Sequence, residues 1–404
     1  MKYRVCVAAW AAIASLTGCH RKAVTGSAIN NAVNGKVHIQ LQERRDWLFN
    51  KGAIGFTNCF AAARANAVEQ LNDSSFMITI LPENTPVNPS PWYAFRVWAT
   101  GSRKIFITLN YQKEQHRYPP KTSNDRVNWQ ATGPVHFNSD SSKASFAIQA
   151  GTDTLTVAGQ EIITAANSYE WIDSLAQLPF VQKQVIGYSV LGKPIIALST
   201  RGVEQAAAVV VLSRQHPPEV TGFMAMQQFV ETVLGSSEQA QAFRRRYQLL
   251  IVPMLNPDGV DEGNWRHSAA GVDLNRDWDL FLQPETRAVR DFLLQKTKDT
   301  QVKVYFGIDF HSTYRDVFYT NADTVTRVPG FTQRWLQAFA KAIPGFKPNV
   351  KPSGNGGNVS KSWMMRALGC DALTYEVGDG TPRELLKMKG RVAAEKMMEL
   401  LPAE

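Results

Sequence analysis

Apolar and polar residues alternate with a period near two in the first part of the chain, a pattern typical of strands in a half-buried sheet. Segments rich in Pro, Asn, Asp and Ser, such as 82–91 and 119–128, separate the alternating runs. The runs that we predict as strands are 76–81, 92–98, 104–109 and 144–149. We therefore predict an antiparallel β-sandwich over residues 36–165.

The pattern changes over residues 168–404, where short, continuously apolar runs alternate with longer helical stretches. The apolar runs are 207–212, 248–254, 303–308 and 372–375, and the helical stretches are 220–235, 285–296, 331–343, 359–369 and 382–401. Buried strands that alternate with helices predict an α/β domain with a parallel or mixed sheet. Functional sites in such domains collect at the carboxyl ends of the strands.

The first 18 residues have the pattern of an export signal. A basic start precedes an apolar run over 5–16, which is too short to span a bilayer as a helix. The run ends in Leu-Thr-Gly-Cys19, which resembles the lipobox of bacterial lipoproteins and implies cleavage before Cys19 and lipid on its thiol. The alternative is an ordinary signal peptide with an incidental cysteine. We expect residues 19–35 to form a tether. Because His20 follows Cys19, we expect the protein at the periplasmic face of an outer membrane or the cell surface.

Composition narrows the choice of protein class. With 44% hydrophobic and 20% charged residues, the chain is neither disordered nor collagen-like nor a long coiled coil. Four cysteines in 404 residues exclude a disulfide framework, and we expect Cys59 and Cys370 to be buried structural thiols. The net charge of +9 is compatible with an acidic partner. However, the Lys and Arg residues form no stripe with interleaved aromatics, so we predict no nucleic-acid partner.

Candidate metal ligands follow two of the predicted strands. His216 and Glu219 lie three residues apart after the 207–212 strand, and His311 follows the 303–308 strand. Two His and one Glu with an open fourth position are a ligand set of catalytic zinc. The alternative is a glutamate stabilised by a helix dipole beside unrelated, structural histidines. The spacing alone leaves both interpretations open.

Further polar candidates follow the other two strands. The 248–254 strand leads into Asn-Pro-Asp-Gly, which we interpret as a turn, and then to Arg266, Asn275 and Arg276. Guanidinium groups bind carboxylates and oxyanions, although each arginine is equally compatible with a solvated surface charge. Glu376 ends the 372–375 run, where burial would be costly without a partner or a function, and it is a candidate general base.

The ordered motifs HPPE, NPDGV, GNWR, GVDLNR, DFHS and TYE resemble those of the zinc metallocarboxypeptidases. The likeness is strongest to the cytosolic-carboxypeptidase branch and its bacterial relatives, in which a β-sandwich precedes the peptidase domain. The segment 88–97, Asn-Pro-Ser-Pro-Trp-Tyr-Ala-Phe-Arg-Val, is similar to part of that sandwich. The resemblance covers nearly all of the chain after the signal peptide. It implies an α/β/α sandwich around a mixed sheet.

The resemblance also implies a metal centre with one zinc ion per chain. It makes His216, Glu219 and His311 the zinc ligands. Asp273 matches the carboxylate that orients the first zinc-binding histidine.

The remaining motif positions match residues that handle the substrate. Arg266 matches the residue that polarises the scissile carbonyl, and Glu376 matches the general base. Asn275 and Arg276 match the pair that holds the terminal carboxylate of a peptide, the contact that makes an exopeptidase.

The chain departs from the family pattern at one catalytic position. Many digestive members carry a mobile tyrosine shortly before a Gly-Gly pair, and Pro352 stands there in this chain. Tyr314 and Tyr319 are the candidates to replace it.

The residues around the released side chain predict conflicting preferences. Val359 and Thr374 match specificity positions and favour an apolar or small side chain. Arg315, four residues after His311, favours an acidic one. The side-chain preference stays open at this point.

We expect a lipid-anchored zinc carboxypeptidase that acts on peptides with a free C-terminal carboxylate. One alternative is a zinc-dependent deacylase or amidase acting on acylated amino acids or cell-wall peptides. The other is a surface binding protein without activity, which the competent residues at every candidate catalytic position disfavour.

Overall fold

The computed structural model describes residues 38–39, 41–85, 91–112, 114–201, 207–298, 302–321, 326–353 and 357–402. The predicted signal peptide over 1–18, Cys19 and the tether over 19–35 lie outside the described residues. Within the described part of the chain, every helix is too short or too polar to cross a bilayer.

The first half of the described chain is built almost wholly of strands. They are β1 (His38–Ile39), β2 (Asp46–Phe49), β3 (Ile54–Thr57), β4 (Ala67–Asn72), β5 (Ser75–Ile80), β6 (Asn84–Thr85), β7 (Ala94–Ala99), β8 (Arg103–Tyr111), β9 (Lys121–Ser123), β10 (Gln130–Ala131), β11 (His136–Phe137), β12 (Lys143–Ala150) and β13 (Leu155–Ala158). Two sheets form the sandwich, in the orders β10-β9-β13-β7-β3-β2 and β11-β12-β8-β5-β4.

The sandwich core follows from the alternating pattern. In β12 every second residue is buried, and the inward side chains of the two sheets meet in an aromatic cluster. Phe56 and Phe76 come from different sheets and have ring centres 4.9 Å apart. One pairing differs from the antiparallel expectation, because β5 and β8 run parallel. Between β5 and β8, the chain passes through β7 of the other sheet, so β8 can enter its sheet in the same direction as β5.

Helices and strands alternate in the second half. The elements are α1 (Ala165–Leu175), β14 (Val181–Tyr188), β15 (Pro194–Thr200), β16 (Ala207–Ser213), α2 (Val220–Leu234), α3 (Glu238–Arg246), β17 (Tyr247–Val252), α4 (Pro257–Asp261), α5 (Pro284–Lys298), β18 (Lys303–Thr313), β19 (Val317–Asn321), α6 (Phe331–Ala342), β20 (Val350–Ser353), α7 (Ser360–Leu368), β21 (Asp371–Gly378) and α8 (Arg383–Leu400).

These strands form one mixed sheet in the order β14-β15-β17-β16-β18-β21-β19-β20. The four central strands run parallel. Strand β15 pairs antiparallel with both β14 and β17, and β19 pairs antiparallel with β21 but parallel with β20. Helices α2, α6 and α8 pack on one face around Phe229 and Trp335, and α5 and α7 pack on the other around Phe292 and Trp363. The predicted α/β/α arrangement with a mixed sheet is confirmed.

Several local predictions need correction. Strands β14, β15, β19 and β20 and helices α1 and α3 were missed, since edge strands such as β14 alternate polar with half-buried residues. The predicted turn after β17 is the short helix α4. It forms because Asn256 caps it by accepting a hydrogen bond from the Gly259 N–H at 2.9 Å, with Pro257 at its first position. Cys370 is buried, but Cys59, in the loop after β3, is only half-buried.

The sandwich is tied to the second half by buried hydrogen bonds. Arg64 donates from Nε to the Gly263 carbonyl at 2.8 Å and from Nη2 to Asn264 Oδ1 at 2.8 Å. Gly263 adopts a φ of +66°, and a Cβ there would lie 2.2 Å from the Ala63 carbonyl oxygen. Only glycine permits this approach. The contact holds the segment that leads to Arg266 against the sandwich.

Candidate active site

Adjacent strands of the mixed sheet bring the candidate ligands together at one edge. His216 follows β16, and Glu219 is the N-cap residue of α2. His311 lies inside β18, which extends five residues beyond the predicted end at 308, and it pairs in register with Glu376 on β21. Because the carboxyl ends of parallel strands share an edge, residues distant in sequence meet there.

A close contact between α2 and β18 holds Glu219 beside His311. A Cβ on Gly222 would lie 2.2 Å from the His311 carbonyl oxygen, so only glycine lets the helix approach this far. The Gly222 N–H also donates to Ser312 Oγ at 2.8 Å. The side chain of Glu219 makes no capping hydrogen bond to the helix and faces the histidines instead. Glu219 therefore does not act as a capping carboxylate at the start of α2, which was the alternative left open by the sequence.

The three side chains form a compact, buried donor set. Glu219 places Oε1 at 2.8 Å from His216 Nδ1 and Oε2 at 2.7 Å from His311 Nδ1, and the two Nδ1 atoms lie 3.2 Å apart. One donor atom from each residue falls within 4.8 Å of the others. Glu219 Oε2 is buried, with His311 Nδ1 as its close polar neighbour. Two imidazole nitrogens and a buried carboxylate oxygen fit a zinc ion that keeps one open position.

Both imidazoles are oriented through their outer nitrogens. His216 Nε2 lies 3.0 Å from Asp273 Oδ1, and His311 Nε2 lies 2.8 Å from Asp309 Oδ2. Gln215 also donates to Asp309 Oδ2, at 2.6 Å. Such contacts fix the orientation of metal-binding histidines and raise their basicity.

The contact of Asp309 with His311 was not predicted from the sequence. A signal was present, because a residue two positions before His311 on a strand lies on the same face of the sheet.

Charges around the histidines favour a cation. Burial alone would lower the pKa of His311, but Asp309 and Glu219 hold it well above its ordinary value. The pKa of Glu219 is lowered despite burial, because both histidines stabilise the carboxylate. The pKa of Asp273 is likewise held low, mainly by His216 and then by Arg266. The donor set therefore lies in a buried environment rich in carboxylates.

Glu376 differs from the other carboxylates of the site. Burial raises its pKa to about 7, and the nearby charge of Glu219 adds to this effect. Its Oε2 atom is buried and lacks a hydrogen-bond partner. A carboxyl group with these properties can exchange a proton near neutral pH.

Arg266 is held from two sides. Its Nε donates to Asp273 Oδ2 at 2.6 Å, and its backbone N–H donates to Glu83 Oε1 at 2.8 Å. The same oxygen of Glu83 accepts from the His267 N–H at 3.2 Å and lies 2.7 Å from His267 Nδ1. Burial alone would raise the pKa of Glu83, but these contacts lower it to about 2. Glu83 belongs to the sandwich, and no local pattern in the sequence pointed to it.

The donor set opens into a cavity of about 410 Å³. Of the residues predicted from the sequence, its lining includes His216, Glu219, Arg266, Asn275, Arg276, Val359, Thr374 and Glu376. The lining also includes residues that were not predicted from the sequence, among them Arg117, Trp265, Ser353 and Lys361.

Family comparison agrees with this arrangement. Residues 168–387 match the model of the zinc carboxypeptidase family. The chain belongs to this family. The resemblance inferred from the motifs is thereby confirmed.

Curated relatives in the family include cytosolic carboxypeptidases. Cytosolic carboxypeptidase 6 of Mus musculus is 25% identical over 289 residues, which cover 65% of this chain and 54% of the mouse protein. Its counterpart in Caenorhabditis elegans is 24% identical over 371 residues, which cover 82% of this chain and 80% of that protein. The chain thus spans little more than half the length of the mouse relative.

Solved structures of two bacterial proteins share the fold. A metallo-carboxypeptidase from Burkholderia cenocepacia superposes with a TM-score of 0.71 at 21% identity, covering 86% of this chain and 99% of that one. The metallo-carboxypeptidase from Pseudomonas aeruginosa in complex with (2-guanidinoethylmercapto)succinic acid also gives 0.71, at 20% identity, covering 86% and 98%. Both likenesses extend over the sandwich as well as the family domain.

The residues that match the family's carboxylate-binding pair lie beside α7. Asn275 is buried, and its Oδ1 accepts from the Ser360 N–H at 3.0 Å. Arg276 is exposed at the cavity, where its Nη1 donates to the Asn275 carbonyl at 2.7 Å and its own carbonyl accepts from Asn358 at 2.8 Å. We call this part of the cavity, with Asn275, Arg276 and Val359, the α7 end.

The remaining candidates are distributed inside and outside the cavity. Arg315 is exposed and does not line it. Tyr314 is 66% exposed, whereas Tyr319 lines the cavity. Lys361 is buried at the α7 end and donates to Asn321 Oδ1 at 2.8 Å, and burial lowers its pKa to about 8.

Proposed function

We propose that this protein is a zinc-dependent carboxypeptidase that releases the C-terminal residue from peptides. The observation that carries the proposal is the donor set of His216, Glu219 and His311, of which His216 and Glu219 line one cavity with Glu376, whose buried Oε2 has no hydrogen-bond partner. Membership of the zinc carboxypeptidase family supports the same conclusion.

The side chains of the cavity divide the reaction between them. A zinc ion held by the donor set would supply Lewis-acid activation of water and of the scissile carbonyl. Glu376 takes a proton from the attacking water and returns it to the leaving amine, because its pKa of about 7 suits both transfers. Arg266, fixed by Asp273, donates hydrogen bonds to the carbonyl oxygen as negative charge develops there.

The α7 end accounts for cleavage at the chain terminus. Arg276 presents a guanidinium group to the cavity, and such a group pairs with a carboxylate through two parallel hydrogen bonds. Asn275 is anchored by Ser360 next to it. A peptide whose terminal carboxylate lies at this end places its last peptide bond near the donor set.

Two measurements test the proposal. Metal analysis of the purified protein should find one zinc per chain, and the double variant His216→Ala/His311→Ala should lose it. Incubation with a peptide mixture, followed by mass spectrometry, should show residues leaving one at a time from the C-terminus. Purified protein without bound zinc would contradict the proposed enzymatic activity. Release of acyl groups alone would identify a deacylase instead.

We also propose that the protein is an exported lipoprotein, anchored to a membrane through lipid on Cys19. The motif at residues 16–19 and the apolar run before it support this proposal. Several acyl chains would hold the protein stably, since each buried CH₂ contributes about 0.8 kcal/mol. Bacterial cells fed an alkyne-labelled palmitate should label the wild type and not Cys19→Ser. Equal labelling of both would refute the anchor.

A further inference from the structure

One arginine of the β-sandwich reaches the active-site cavity. Arg117 lies between β8 and β9, and it lines the cavity together with Trp265, Ser312 and the donor-set residue Glu219. Its side chain is only 9% exposed. A buried cation in a substrate cavity needs an explanation, because desolvation of a charge is costly.

Part of the guanidinium group is used to join the two halves of the molecule. Nε and Nη2 of Arg117 lie 2.9 Å and 2.8 Å from Asp379 Oδ2, just after β21, and Nη2 also donates to the Ser312 carbonyl at 3.4 Å. These contacts account for one edge of the group. Nη1 makes no hydrogen bond to any described residue.

Aromatic rings hold the guanidinium plane in place. Its central carbon lies 5.0 Å from the ring centre of Tyr118, 4.7 Å from that of Trp265 and 4.6 Å from that of Tyr314. Cation–π contacts of this kind stabilise the charge and restrict its motion. The guanidinium group is therefore held in a fixed orientation in the cavity lining, with Nη1 left out of its contacts to described residues, which lowers the entropy cost of binding a ligand there.

The position of Arg117 in the cavity indicates which part of a bound peptide it contacts. The terminal carboxylate is assigned to Arg276 at the α7 end, whose residues contact one another through Ser360 and Asn358. Arg117 contacts none of these residues and lies instead with Ser312 and Trp265, which we call the sandwich end. A peptide that runs from the α7 end past the donor set leads its preceding residues to the sandwich end.

We propose that Arg117 is a substrate-binding residue, which donates hydrogen bonds from Nη1 to an oxygen of the peptide on the N-terminal side of the scissile bond. The acceptor is a backbone carbonyl or a side-chain carboxylate of a residue upstream of the last two. The β-sandwich thereby contributes a subsite and makes longer peptides better substrates than dipeptides. The inference rests on the proposed carboxypeptidase activity.

Peptide length separates this role from a structural one. The substrates are a dipeptide, a tripeptide and a tetrapeptide that end in the same two residues, with kcat and KM measured for each on the zinc-loaded protein. The wild type should gain about tenfold in kcat/KM from the added upstream residues, as expected for one charge-assisted hydrogen bond. Arg117→Gln should abolish most of this gain, chiefly through KM, so that the ratio of kcat/KM between the tetrapeptide and the dipeptide falls toward one.

A matched variant controls for the ion pair. Asp379→Asn weakens the contact that joins the two halves but keeps Nη1, so it should retain the length dependence even where overall activity falls. Arg117→Lys covers the case in which Arg117→Gln fails to fold. It keeps a cation beside Asp379 but loses the fixed pair of donors, so it should also lose the gain from length. Comparing tetrapeptides with Glu or Gln upstream distinguishes the two acceptors, since only a carboxylate acceptor predicts a preference for Glu.

Binding provides a second readout. Peptides of the three lengths should bind Glu376→Gln with affinity that rises with length, and Arg117→Gln/Glu376→Gln should bind all three about equally, as measured by calorimetry. The subsite would be overturned if kcat/KM of the wild type did not depend on peptide length, or if Arg117→Gln lowered kcat/KM by the same factor on every peptide. Either result would leave the proposed carboxypeptidase activity intact. A wild type that releases no residue from any peptide would overturn both.

Discussion

The mixed sheet and the β-sandwich both contribute to the active-site cavity, but they position their residues by different means. In the sheet, register places His311 opposite Glu376, and a helix packed on Gly222 adds Glu219. In the sandwich, the loop residue Arg117 lines the cavity and Glu83 accepts a hydrogen bond from the Arg266 N–H, and both contacts cross between the two halves. The sheet therefore holds the candidate metal ligands and Glu376, while the sandwich holds the backbone of Arg266 and adds Arg117 to the cavity. Substitutions in the mixed sheet should therefore impair different properties of the protein from substitutions in the sandwich.

The largest effect is expected at the chemical centre of the sheet. Glu376→Gln should bind one zinc per chain and lose about 10²–10⁴-fold in kcat, since the amide cannot transfer the proton. Metal analysis and steady-state kinetics on the same preparation measure both quantities. Retention of kcat would show that another group is the base.

The carboxylates behind the histidines should control metal affinity. Asp309→Asn and Asp273→Asn should each weaken zinc binding by about 10–100-fold, because the outer nitrogens lose their acceptors. Competition with a chelator measures the affinity. Asp279→Asn, at an exposed position nearby in sequence, is the matched control and should leave it unchanged. Unchanged zinc affinity in both site variants would mean that neither contact supports the metal.

Glu83 provides the corresponding test on the sandwich side. Glu83→Ala should lower kcat/KM by about tenfold, because the backbone of Arg266 and His267 loses a shared acceptor, yet it should leave zinc affinity as in the wild type. Steady-state kinetics measure kcat/KM, and competition with a chelator measures zinc affinity. The exposed Glu69→Ala serves as control. A loss of zinc in Glu83→Ala would show that the two sides are not separable.

Two buried glutamates extend the comparison to pH dependence of stability. Burial raises the pKa of Glu285 in α5 to about 7, whereas the contacts of Glu83 lower its pKa to about 2. Glu285 is neutral in the folded state at acid pH, and its unfavourable ionisation reduces the free energy of unfolding as the pH rises from about 4.5 through 7.

Glu285→Gln should therefore stabilise the protein by about 2–3 kcal/mol at pH 8 and by much less at pH 4.5, because one unit of pKa corresponds to about 1.4 kcal/mol. Urea unfolding at the two pH values measures the difference. If Glu285→Gln changed the free energy of unfolding equally at both pH values, the raised pKa of Glu285 would be excluded as the cause. Glu83 should act in the opposite sense, with stability present above pH 4.5 and lost as the pH falls toward 2.

Part of the site could be predicted because its residues follow recognisable strands. The runs before His216 and Glu376 are short and largely apolar, so their carboxyl ends could be placed on one sheet edge. Asp309 could have been found by the same reasoning, since it shares a strand face with His311. Strand β14 was missed because its alternation of polar and half-buried residues is weak.

Glu83 and Arg117 had no such signal. Each is an isolated charge in a turn-rich part of the sandwich, where a solvated side chain is the ordinary expectation. Their function depends on contacts with Arg266 and Asp379, which lie far along the chain. The orientation of each charge follows from the docking of the two halves, and docking is not encoded in a local pattern.

The amino-acid sequence by itself determined the α/β family domain, its zinc-ligand candidates and a candidate general base, because periodicity and short motifs are local properties of the chain. The tertiary structure decided which oxygens and nitrogens face one another. It set Nδ1 of both histidines against Glu219, placed Arg315 outside the cavity and brought Arg117 into it. These outcomes depend on side chains from distant segments and on close packing between elements, which only the folded molecule brings together.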